Sequence, residues 1–97
     1  MSDEKLMQDC QRVEQAGSAR YGADRWKASL DAIGRQGGVS EANMRQIVTA
    51  PDAAGLLYAM GREALLQQSD AGDQESERIY RQMREDERAE YRKYRGR

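Results

Sequence analysis

The residues able to do covalent or acid–base chemistry are few. The 97-residue chain has no histidine and one cysteine, Cys10. Without an imidazole, and with one thiol in line with apolar neighbours, the usual acid–base and nucleophile arrangements are missing. Cys10 shares a helical stripe with Leu6 and Val13, so it reads as a small buried apolar residue rather than a reactive thiol. A lone cysteine forms no internal disulfide, and no zinc-ligand spacing is present. Two carboxylate groupings remain, Asp70 with Asp73 and the run Glu85-Asp86-Glu87, and charge runs of this kind usually form solvated helix faces. Gly37-Gly38 follows a helix instead of preceding one, the wrong order for a phosphate-binding loop. The expectation is no catalytic residue, no metal, no cofactor and no enzymatic activity.

Recognition chemistry is better represented. Tyr80, Arg84, Arg88, Tyr91, Arg92, Lys93, Tyr94, Arg95 and Arg97 lie in one terminal stretch, and tyrosine and arginine are enriched at the energetic centres of protein interfaces. The net charge of −1 conceals a segregation. Residues 51–73 set Arg62 against Asp52, Glu63, Asp70 and Asp73, whereas residues 88–97 set five cations against Glu90 alone. A basic, tyrosine-bearing helix would dock on an acidic protein site, reversibly and with a strong salt dependence. Nucleic acid is the less favoured partner. Glu85, Asp86, Glu87 and Glu90 share the segment and would repel phosphates, and a pI near 5.5 is unlike a dedicated nucleic-acid binder.

Helices must position these residues. Ser2 is a candidate cap for a first helix, with Asp3 and Glu4 in its opening turn. Leu6, Cys10 and Val13 recur at i, i+4, i+7; Ala16 extends that stripe, and Gly17-Ser18 loosens or ends it. Past a turn at Tyr21-Gly22, Trp26, Leu30 and Ile33 repeat the spacing from about Ala23, and Gly34, Gly37 and Gly38 stop the helix. Ser40 caps a short third helix ending before Pro51. Pro51 suits the first position of a fourth, with Asp52 in its first turn. Gly61 marks a kink or an end of that helix. Gln67–Gly72 reads as a polar linker. Asp73 or Ser76 then caps a long, charged helix to about Tyr94, supported by the pairs Glu77–Arg81, Arg81–Glu85, Arg84–Glu87 and Glu90–Lys93.

The expected fold is all-α, a small bundle of four to five helices with a protruding charged C-terminal helix. Residues 1–72 form the helical body and 73–97 the charged helix. The central pair of helices is the hub, and the core comprises Leu6, Cys10, Val13, Trp26, Leu30, Ile33, Met44, Ile47, Val48, Leu56, Leu57 and Met60, with Tyr21 at its rim. A chain this short buries a modest fraction of its surface, so sharing a core within a homo-oligomer, or with a larger partner, is expected. The start lacks a basic-then-apolar signal pattern, and no apolar run approaches the ~20 residues of a membrane helix. A soluble, intracellular protein without membrane contact is the expectation.

From Tyr21 to Met83 the chain resembles the C-terminal part of tailed-bacteriophage scaffolding proteins. The residues carrying the likeness are Tyr21 and Trp26, Met44 and Ile47, Leu57-Tyr58-Ala59-Met60-Gly61, Arg78-Ile79 and the basic end Arg92 to Arg97. The resemblance implies a helical protein that binds the major capsid protein through its basic terminal helix, co-assembles inside a procapsid, and leaves or is removed on maturation. Its implied location is the host cytoplasm and the procapsid or virion interior. The chain departs from the family pattern at Arg62-Glu63, where Asn-Pro often follows the glycine, and in its short N-terminal helical stretch. The alternatives are a small phage-encoded helical protein that binds and inhibits a host protein and, second, a nucleic-acid-binding protein.

Overall fold

The computed structural model describes residues 3–95, so the expected Ser2 cap lies outside the described residues. The chain is all-α: α1 (Asp3–Tyr21), α2 (Ala23–Arg35), α3 (Glu41–Val48), α4 (Ala53–Asp70) and α5 (Gln74–Arg95). It divides into two compact units, Met1–Ala64 and Leu65–Arg97. The division falls within α4, not at the expected boundary after residue 72.

In the first unit, helix ends follow local chemistry. Gly22 separates α1 from α2 with φ 89°, a conformation costly for a residue bearing Cβ. Helix α2 stops where Gly37 and Gly38 take φ 102° and 77°, and the Gly38 N–H donates to the Ile33 carbonyl at 3.0 Å. Gly34, expected to help end α2, lies inside it. The Ser40 hydroxyl caps α3 by accepting from the Asn43 N–H at 3.2 Å. Asp52 caps α4, its carboxylate accepting from the Gly55 N–H at 3.1 Å. Pro51 therefore precedes the cap instead of opening the helix, because a carboxylate oxygen satisfies an orphan N–H that proline's fixed φ cannot.

Packing corrects the expected faces. Gly17 does not end α1; it is buried inside the helix, and a Cβ there would overlap the six-membered ring of Trp26, 2.5 Å from Cη2. That close approach turns the buried line of α1 onto Asp9, Val13 and Gly17, at i, i+4, i+8. Leu6 and Cys10 are consequently half-buried and Ala16 is exposed. In α2 the buried side chains are Trp26, Ser29 and Ala32, with Leu30 and Ile33 half-buried. The Ser29 hydroxyl is satisfied by the Arg25 carbonyl at 3.0 Å. Gly61 likewise neither kinks nor ends α4. It is buried against the Ser29 backbone, where a Cβ would sit 2.6 Å from the carbonyl carbon. Two helices meet there backbone to backbone.

On α4 the buried positions Ala53, Ala54, Leu57, Tyr58, Gly61 and Ala64 follow a 3–4 spacing. Leu56, expected in the core, is 43% exposed because it lies off that line, on the side shared with exposed Ala59 and Glu63. Met60 and Met44 are half-buried, and Ile47 and Val48 are buried. Tyr58 packs face to face on Tyr21, centroids 3.8 Å apart and planes within 3°, and Tyr21 lies nearly parallel to Trp26. Arg20 spans the same corner, with Nη1 3.0 Å from Asp52 Oδ1 and its guanidinium 4.9 Å from the Tyr21 ring centroid.

In the second unit, the segment expected to be a linker from Gln67 is helical to Asp70, and only Ala71-Gly72 form the turn. The Asp73 N–H donates back to the Gln68 carbonyl at 3.1 Å, closing α4. Asp73 then caps α5, accepting from the Ser76 N–H at 3.3 Å. Ser76 is fully buried, its hydroxyl bonded to Gln68 Oε1 at 3.1 Å and to the Asp73 carboxylate. Leu65, at 0% exposure, and Met83, at 1%, are the deepest large side chains of this unit.

Candidate protein-docking helix

The terminal cations are positioned by α5, and the helix changes character along its length. Its first half is anchored: Ser76 and Met83 are buried, and Ile79, Tyr80, Asp86 and Glu87 are half-buried. Every residue from 88 to 95 is exposed, including Tyr91 at 61% and Tyr94 at 82%. Exposed charge pairs support the first half. Arg81 Nη2 lies 2.7 Å from Glu77 Oε1, Arg78 pairs with Glu75, and Gln82 Nε2 donates to Asp86 at 3.1 Å. The cations Arg92, Lys93 and Arg95 crowd the negative end of the helix dipole, where they stabilise the last turn.

At 3.6 residues per turn, Arg81, Arg84, Arg88, Arg92 and Arg95 fall within an arc of about 80°. They form a continuous guanidinium ridge on the side of the helix away from Met83. All five are exposed. Arg81 is neutralised by Glu77, while Arg84, Arg88 and Arg92 have no acidic partner among the described residues. The Arg95 guanidinium lies 5.8 Å from the Tyr91 ring centroid, a cation–π distance that lends the distal turns a shared aromatic and cationic surface.

The expected docking residues therefore divide. Arg84, Arg88, Arg92 and Arg95 share the ridge; Tyr91 borders it; Tyr94 and Lys93 lie on other faces. Tyr80 is half-buried nearer the anchored end, and Arg97 lies outside the described residues. Arg81, expected only in supporting ion pairs, also belongs to the ridge, as its 3–4 spacing with Arg84 and Arg88 dictates.

The rest of the molecule presents little chemistry. A cleft of about 140 Å³ in the first unit is lined by Cys10, Val13, Trp26, Leu30, Met44 and Leu57, among others. A second, more polar cleft of about 290 Å³ is lined by Arg12, Val13, Ala16, Pro51 and Asp52, among others, and reaches the roughly 300 Å³ at which small-molecule sites begin, whereas the first is about half that size. Among the described residues no group of three His, Cys, Asp or Glu side chains could hold a metal ion. No helix among them is long and apolar enough to cross a membrane. No family model, curated protein or solved structure matches the chain.

Proposed function

We propose that this chain is a non-enzymatic, scaffolding-like capsid-assembly protein that binds an acidic face of a phage major capsid protein through α5. The observation that carries the reading is the ridge Arg84–Arg88–Arg92–Arg95 on a helix end exposed on every side. Exposed arginines cost little to desolvate, steer an acidic partner by long-range attraction and pair with carboxylates bidentately. Tyr91 adds apolar contact beside them. The first unit acts as the folded body that carries the helix, inside the host cell and the procapsid, and the working species is an oligomer. The resemblance from Tyr21 to Met83 supplies the identity of the partner, and the ridge supplies the means of holding it.

The test is binding of the full chain to the major capsid protein of the same source, by titration calorimetry at two salt concentrations. Arg84→Glu/Arg88→Glu/Arg92→Glu should abolish binding with unchanged circular dichroism, and wild-type affinity should fall steeply with salt. Wild-type affinity retained by the triple variant would reject the ridge as the docking element. A salt-sensitive mobility shift of duplex DNA, lost in the same variant, would transfer the ridge to a nucleic-acid role.

A further inference from the structure

The arginine ridge carries an acid at one edge. With Arg88 at its centre, Arg84 and Arg92 stand about 40° to either side, Tyr91 lies about 20° beyond Arg84, and Glu85 lies about 20° beyond Arg92. The other acids of these turns are farther round: Glu87 is about 60° beyond Arg84, and Asp86 and Glu90 are on the opposite side of the helix. Glu85 is exposed, and Arg81 and Arg88, one turn to either side, leave it unpaired. Arg81 is held by Glu77 instead, so the expected Arg81–Glu85 pair is absent among the described residues. Asp86, by contrast, accepts from Gln82. Glu85 therefore adds charge beside the ridge without bracing the helix.

We propose that Glu85 sets the specificity of the docking helix: it rejects nucleic acid while leaving one-sided docking on an acidic protein face intact. The protein that is admitted rests on the capsid-binding reading; the polyanion that is rejected does not. An acidic protein face meets the ridge head-on, and contact that takes in the Tyr91 ring tilts toward the edge away from Glu85. Duplex DNA makes a different demand. A helix about 10–12 Å across fills a major groove about 12 Å wide, so phosphates flank it on both sides. The edge bearing Glu85 then faces a phosphate row, and repulsion there offsets attraction along the ridge. Position matters as well as net charge. At about 0.1 M salt, charges more than about 10 Å apart are largely screened, which is the width of the helix itself. Glu90, across the helix, then has little influence on a phosphate at the ridge, and Glu85 has much.

The experiment is fluorescence anisotropy of a labelled short DNA duplex titrated with the full chain at about 0.1 M salt. Wild type should bind more weakly than about 100 µM. Glu85→Gln should tighten binding about three- to tenfold, and Glu85→Lys about tenfold further. Glu90→Gln, the same change of charge on the far side, should shift it less than about twofold. Circular dichroism should be unchanged in all three, since Glu85 and Glu90 are exposed. In titration calorimetry, Glu85→Gln should alter affinity for the major capsid protein by less than about threefold. Four results would each overturn the proposal: wild-type DNA binding tighter than the stated limit, a Glu90→Gln effect equal to that of Glu85→Gln, no DNA binding by Glu85→Lys, or loss of capsid binding in Glu85→Gln. The DNA titrations use the chain alone, so they judge Glu85 even where wild type fails to bind the capsid protein.

Discussion

Replacing Gly61 by alanine tests the packing of the first unit most sharply, because two opposing effects have known size and the structure decides between them. Alanine in a helix interior is favoured over glycine by up to about 1 kcal/mol, so helix propensity alone predicts a stabilised protein. The added methyl, however, would lie 2.6 Å from the Ser29 carbonyl carbon, where ordinary contact begins at 3.4 Å. The obstacle is backbone inside α2, which cannot rotate away as a side chain can. The helices must part by nearly 1 Å, and a gap of that order forfeits a quarter to a half of each dispersion contact along the seam. Overpacking of this kind costs about 1–3 kcal/mol, leaving a net loss of up to about 2 kcal/mol.

Gly34→Ala is the control. Gly34 also lies within a helix, but nothing stands within 4 Å of a Cβ there and its φ is not positive, so the same substitution should stabilise by about 0.5–1 kcal/mol. The two variants have identical composition and opposite predicted signs. Urea unfolding followed by circular dichroism, and by fluorescence of Trp26, the one tryptophan, reads both. A midpoint for Gly61→Ala equal to or above wild type, at unchanged m-value, would refute the backbone contact between α2 and α4.

Two further outcomes follow from particular side chains. Leu65→Ala removes a leucine with no exposed surface and should cost about 2–5 kcal/mol, whereas Leu56→Ala, at 43% exposure, should cost under about 1 kcal/mol; thermal melts of both compare them directly. Ser40→Ala removes the hydroxyl that accepts from Asn43 and should destabilise by about 1 kcal/mol, with Ser40→Asp restoring wild-type stability in the same urea assay.

Helix punctuation was legible because it is local. Ser40, Asp73 and Gly22 act within three or four residues of themselves, and a capping oxygen or a positive φ needs only its neighbours in the chain. The basic end of the terminal helix was legible for the same reason, while the one face shared by Arg81, Arg84, Arg88, Arg92 and Arg95 was not among the expectations, although their 3–4 spacing places them there whatever the helix packs against. Leu56 was readable too. Counting from Leu57 places it with Glu63 rather than with Leu65, and apolar density had outweighed that geometry.

By itself, then, the sequence determined that this chain is helical, about where each helix begins and stops, and that its terminal helix is cationic along one side. Only the tertiary structure decided what Gly17 and Gly61 are for. Propensity treats a glycine inside a helix as a weakness or a break, because it accounts for the residue's own backbone and nothing across from it. Here the missing side chains are the contact surface, one for the face of Trp26 and one for the backbone at Ser29. Nothing in a neighbouring residue announces a partner that arrives from another helix. The approach of those helices in turn chose Asp9, Val13 and Ser29 as the buried positions over Leu6, Cys10 and Leu30, since closeness at a glycine dictates which stripe on either side of it meets solvent.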